Sequence, residues 1–60
     1  MIDYAFPMMM AEKHLKLAHD ALLLKQWEKA KEELLHAITE TRLAYNSVVH
    51  IAQDSAKGNT

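Results

Sequence analysis

The stretch Leu24-Lys25-Gln26-Trp27 decides the fold of this chain, because the hydrophobic pattern changes phase across it. At about 100° per residue on one continuous helix, the apolar residues before the stretch share one sector. Those after it form a stripe centred roughly 120° to 180° away. A single straight helix would expose one stripe wherever it buried the other. The pattern predicts that the chain folds back at Lys25 and Gln26. The alternative is one long helix whose stripe changes face, since no Gly or Pro marks a turn here.

Helix-forming residues dominate on both sides of the predicted turn, and Pro7 suits the first turn of a helix. We therefore predict one domain with a lead-in over residues 1–6, a helix over 7–24, a turn at 25–26, a helix over 27–52 and a flexible tail over 53–60. The predicted core consists of Leu15, Ala18, Leu22, Trp27, Ala30, Leu34, Ile38 and Tyr45.

The apolar arc of each predicted helix is wider than one neighbouring helix covers, on the order of 200° for the first helix. A chain of 60 residues without cysteine also has no disulfide or cysteine-based zinc site to stabilise it. The predicted fold class is therefore all-α, an antiparallel two-helix hairpin that dimerises into a four-helix bundle. The predicted self-association or partner surface consists of Leu17, Leu24, Leu35 and Val49. The far end of the longer second helix would be covered by the lead-in or by a second copy.

The charge and hydropathy of the chain limit the kinds of partner that we expect it to bind. Seven basic and eight acidic side chains give a formal charge of -1, which gives no general support for phosphate binding. The start of the chain lacks the basic and apolar regions of a signal peptide, and the apolar runs are too short for a membrane span. We expect a cytoplasmic homodimer without a membrane or nucleic-acid partner. The alternative is a small nucleic-acid-associated regulator that uses Lys25, Lys29 and Lys31.

No catalytic arrangement is visible in the sequence. Ser47 and Ser55 have no oxyanion-hole loop beside them, there is no cysteine nucleophile, and the single glycine lies near the end of the chain. Glu33 and His36 have the Glu-x-x-His spacing of di-iron bundles, but a metal site needs further carboxylates from facing helices. We therefore expect a solvated helix face at these two residues, no enzyme activity, no cofactor and no metal.

The small residues of both helices resemble the spacing of a tetratricopeptide helical pair. The residues that carry the resemblance are Leu17-Ala18, Ala21, Trp27, Ala30, Leu34 and Ala37. The resemblance covers about half of the chain, and it departs from the pattern because Ala21 replaces the usual aromatic residue and no terminal proline follows. A functional array needs at least about three such units, so the resemblance implies a hairpin and not a repeat array.

The opening Met1-Ile2-Asp3-Tyr4-Ala5-Phe6-Pro7-Met8-Met9-Met10, followed by a helical hairpin, resembles small accessory proteins from the early region of lambdoid temperate phages. This resemblance implies a regulator that binds a host protein in the host cytoplasm, and it carries over no site residue. The expected function is therefore a non-enzymatic protein–protein interaction module, with a phage regulator as its specific form. Besides the nucleic-acid alternative, a monomeric hairpin would offer its exposed stripe as a groove to an amphipathic partner helix.

Overall fold

The computed structural model describes residues 3–58 as an antiparallel pair of α-helices. Helix α1 spans Ala5–Leu23 and helix α2 spans Trp27–Gly58, with no strand between residues 3 and 58. The predicted helical hairpin is confirmed. Helix α2 continues past Ala52, although we predicted a flexible tail there, and α1 begins two residues before Pro7. Residues 1–2 of the predicted lead-in and 59–60 of the predicted tail lie outside the described part of the chain.

The turn is a helix cap built from backbone hydrogen bonds. The Gln26 N–H donates to the Ala21 carbonyl at 2.8 Å, and the Lys25 N–H donates to the Leu22 carbonyl at 3.1 Å. This pair of bonds is the Schellman motif, which satisfies the last carbonyls of a helix. Its hallmark is a residue in the left-handed region, here Lys25 with φ 59°, a position that glycine usually occupies. Because a lysine fills it, turn composition gave no signal and only the change of hydrophobic phase revealed the break.

The start of α1 is also capped locally. The Asp3 carboxylate accepts a hydrogen bond from the Ala5 N–H at 2.9 Å, so an otherwise unpaired N–H at the helix start has a partner. Pro7 lies in the first turn, where its missing N–H leaves no helical bond unmade, and its ring is buried. The sequence predicted this role for Pro7.

The two helices meet along a line of alanines, which we call the alanine seam. Its members are 1% to 8% exposed and comprise Ala11, Ala18, Ala21, Ala30, Ala37 and Ala44. On each helix the seam repeats every seven residues, as in Ala11 and Ala18 or in Ala30 and Ala37. A seven-residue repeat keeps one side of a helix against its neighbour, and small side chains let two backbones approach closely. Among the side chains of residues 3–55, alanines and Pro7 are the buried apolar residues.

The predicted core is therefore right for its two alanines and wrong for its six larger residues. Ala18 and Ala30 are buried, whereas the larger side chains are 39% to 67% exposed, namely Leu15, Leu22, Trp27, Leu34, Ile38 and Tyr45. The reason is geometric. Alanines and larger residues share one sector of each helix, and helices that meet on the alanines leave no room between them for the larger side chains. These side chains lie beside the contact instead of in it.

The helices differ in length, so the end of α2 extends beyond its contact with α1. Helix α1 has 19 residues and α2 has 32, which correspond to about 28 Å and 48 Å at 1.5 Å per residue. The molecule is accordingly long and thin, with principal extents of 53 × 14 × 13 Å. The C-terminal part of α2 extends beyond the start of α1 and has no neighbouring helix among residues 3–58.

We expect Lys25→Gly to raise the free energy of unfolding by about 1 kcal/mol, because glycine adopts the left-handed conformation without the steric cost that a lysine carries. Urea denaturation followed by circular dichroism measures the change. The matched control is Lys29→Gly. Because Lys29 lies inside α2, where glycine is a poor helix former, this substitution should lower the free energy of unfolding by about 0.5–1 kcal/mol. A loss of stability in Lys25→Gly would contradict the assigned turn.

We expect Ala18→Leu to destabilise the protein by about 1–3 kcal/mol, because the larger side chain forces the helices apart at a buried position. The same substitution at Ala52, which is exposed, serves as the control and should change the stability by no more than about 0.5 kcal/mol. Equal effects of the two substitutions in urea denaturation would show that the helices are not in close contact at Ala18.

Candidate interaction surface

One side of the hairpin carries large apolar side chains that no part of the described chain covers. We call this side the apolar face. Its residues are 39% to 67% exposed and comprise Met8, Leu15, Leu22, Trp27, Leu34, Ile38, Tyr45 and Val48. They follow the same seven-residue interval as the alanines, as Met8, Leu15 and Leu22 do on α1. The apolar face therefore runs parallel to the alanine seam along the hairpin.

A groove of about 610 Å³ lies in the middle of the apolar face. It is lined by Leu15 from α1 and, from α2, by Leu34, Ala37, Ile38, Thr41, Arg42 and Tyr45. Ala37 and Thr41 have the smallest of these side chains, so the surface is lowest there. The Thr41 hydroxyl donates to the Ala37 carbonyl at 2.7 Å, which satisfies this hydroxyl within α2. The groove therefore offers a neighbour an apolar surface, with the Arg42 guanidinium as its charged group.

Three side chains bridge the helices elsewhere. His14 of α1 lies with Nδ1 3.0 Å from Glu33 Oε1, and the two side chains are only 16% and 13% exposed. A carboxylate only accepts hydrogen bonds, so the His14 Nδ1–H donates. The His36 ring stacks on the His14 ring with centroids 4.8 Å apart and an interplanar angle of 26°. The expectation of a solvated face at Glu33 is therefore wrong, because His14 from the other helix covers it.

This cluster orients the two helices and is not arranged as a metal centre. No group of three or more His, Cys, Asp or Glu side chains in the part of the chain that the structure describes is placed to hold a metal ion. The sequence contains one signal for the contact. His14 follows Ala11 by three residues and Glu33 follows Ala30 by three, so both lie on the same edge of the alanine seam.

The surface that the sequence singled out lies outside the groove. Leu24 and Leu35 are 69% and 64% exposed, while Leu17 and Val49 are partly exposed, and none of the four lines the groove. They stay a predicted partner surface. The groove residues were missed as a site because their hydrophobic spacing placed them in the predicted core.

The lysines near the turn do not form a purely basic patch, because an acidic side chain lies among them. Lys31 Nζ lies 2.9 Å from Glu28 Oε1, in an exposed pair one helical turn apart. This acidic neighbour offsets part of the charge on which the nucleic-acid alternative depends. Over residues 3–58, neither helix is both long and apolar enough to span a bilayer.

The apolar face and its groove thus form an exposed apolar surface along one side of the hairpin. They are built by side chains that the alanine seam displaces from the contact between the helices. Comparison with known protein families, with curated proteins and with solved structures gave no match.

Proposed function

We propose that this chain is a non-enzymatic protein–protein interaction module that pairs with a second copy through the apolar face to form a four-helix bundle. The observation that carries the proposal is the row of large apolar side chains that are 39% to 67% exposed on one side of the hairpin. Monomeric proteins rarely expose contiguous apolar patches larger than a few hundred Å². Rows that repeat every seven residues are also the pattern by which helices pack side by side.

The exposed area is consistent with a missing partner. The chain exposes 4978 Å², whereas a compact monomer of 6.9 kDa exposes about 4,000 Å². The excess of roughly 1,000 Å² is close to the ~800 Å² that each partner buries in a protein–protein interface of standard size. Burial of the apolar face against a second copy would bring the exposed area per chain to that of a compact protein.

The stability of the hairpin points in the same direction. Its buried apolar side chains are alanines and Pro7, and an alanine buries only a methyl group. A fully buried leucine, isoleucine or methionine contributes about 1.5–3 kcal/mol. Pairing would bury leucines on both copies, and would thus supply the hydrophobic stabilisation that a chain of this size otherwise lacks.

The resemblance to phage accessory proteins adds a second element to the proposal, a regulator that binds a host protein. In a bundle joined through the apolar face, Leu24 and Leu35 would remain on the outside. These residues would then be the surface for the host protein. Aspartate at either position should abolish capture of that host protein while the bundle persists.

We expect the wild-type protein to sediment as a dimer at micromolar concentration and Leu34→Asp to weaken the dimer at least about 100-fold, because it places a charge in an apolar interface. Thr39→Asp, on the exposed outer side of α2, is the control and should remain dimeric. Leu24→Asp tests the competing surface.

A monomeric mass for the wild type would overturn the proposed dimer. If Leu24→Asp dissociates it and Leu34→Asp does not, the interface lies on the surface that the sequence singled out. Should Leu34→Asp unfold, the thermal midpoint of the wild type still decides the matter, because it rises with protein concentration only when folding and association are coupled.

Trp27 provides a second measurement, since it is the single tryptophan and is 58% exposed in the isolated hairpin. We expect its fluorescence emission to shift to shorter wavelength as the protein concentration rises through the dissociation constant, because the ring leaves water. The emission of Leu34→Asp should not depend on concentration over the same range. Doubling of the mass without an emission shift would place Trp27 outside the interface.

A further inference from the structure

We infer that α2 of one copy lies in the groove of the other in antiparallel orientation, on a twofold axis that passes between Ala37 and Ile38. The inference rests on the proposed function and specifies the occupant of the groove and its register. In a twofold interface, a residue on one side of the axis meets the residue equally far on the other side in the second copy. A helix face suits this symmetry when the residues equally far from the axis on its two sides fit one another.

The α2 residues of the apolar face, taken together with Lys31 and Thr41, can be placed about one such axis. One row runs along α2 through Trp27, Leu34, Thr41 and Val48, and its midpoint falls between Ala37 and Ile38. The neighbouring row of Lys31, Ile38 and Tyr45 has its midpoint at Ile38, within half a residue of the first. Both rows thus share one centre, and that centre lies within the groove.

The side chains paired by this axis match in size. Leu34 of one copy meets Thr41 of the other, and the same contact recurs on the opposite side of the axis. Thr41 and Ala37 are the small residues of the groove, so each copy offers a depression where the other offers a leucine. The groove has a volume of about 610 Å³ and is lined by both helices, so it can receive side chains of a neighbouring helix.

Charge favours the antiparallel orientation. Lys31 and Arg42 lie on opposite sides of the proposed axis. In the antiparallel pair, Lys31 is level with Ala44 and Tyr45 of the second copy, where the Tyr45 ring favours a neighbouring cation, and Arg42 is level with Glu33 and Leu34. In a parallel pair of the same register, Lys31 would lie beside Lys31 and Arg42 beside Arg42. Like charges held together across an interface are unfavourable, so Lys31 and Arg42 favour the antiparallel pair over the parallel one.

Single-cysteine variants test the register, because the chain contains no cysteine of its own. Ile38→Cys places a thiol beside the axis, and we expect rapid formation of a disulfide-linked dimer under mild oxidation, measured by intact mass without reductant. In Leu34→Cys, the two equivalent thiols lie about 10 Å apart along the helices, beyond the reach of a disulfide. An equimolar mixture of Leu34→Cys and Thr41→Cys should instead form the mixed disulfide. Thr39→Cys, on the outer side of α2, is the control and should remain unlinked.

The outcomes separate this inference from the proposed function. If Ile38→Cys stays unlinked while sedimentation shows a dimer, the module dimerises and the register is wrong. Self-linkage of Leu34→Cys as fast as that of Ile38→Cys indicates a parallel pair of α2 helices and also overturns the inference. A wild-type monomer overturns both, whereas linkage confined to Ile38→Cys and to the mixed pair supports both.

Discussion

The close contact of two helices along alanines is the constraint on which the rest of this structure depends. Alanine side chains keep little distance between the backbones, and a seven-residue repeat maintains that contact through Ala11, Ala18, Ala30 and Ala37. Larger residues from the same sectors have no space between the helices and lie along one flank. The exposed apolar face therefore follows from the choice of alanine at the seam. Leucines in place of the seam alanines would have held the two helices farther apart and left a different surface exposed.

Two local features fix how the helices meet. The turn closes through backbone bonds around Lys25, whose left-handed conformation carries a steric cost that glycine would avoid. The hydrogen bond between His14 and Glu33 joins the helices on the edge of the seam, and His36 stacks on the same imidazole. The Glu33 carboxylate is only 13% exposed, so its hydrogen bond with His14 is favourable only when the two helices hold this register. Turn and polar contact thus set the register, while the alanines set the distance.

The proposed function follows from what this register leaves exposed. A hairpin with an alanine core gains little from burial of apolar surface, and its leucines, tryptophan and tyrosine still face solvent on one side. In the proposed dimer, association and folding would be parts of one process, because the second copy would supply the layer that the single chain lacks. In the proposed pair, the residues on either side of Ala37 and Ile38 would let α2 lie antiparallel to α2 of the second copy. In the proposed bundle, the outer surface with Leu24 and Leu35 would stay separate from that interface and accessible to a different partner.

The sequence by itself determined the two helices, the place where the chain folds back and the excess of apolar surface over what one hairpin buries. These properties depend on helical propensity and on the phase of a repeat, both of which are local and visible along the chain. Only the tertiary structure decided which part of each stripe faces the other helix. A helical wheel shows the sector that a residue occupies but not how closely two helices approach. The sequence therefore placed Leu34 and Ile38 in the core, whereas in the structure they lie beside the contact between the helices. The tertiary structure also decided the contact between His14 and Glu33, which are 19 residues apart. That contact depends on the register of the two helices and on no single stretch of sequence.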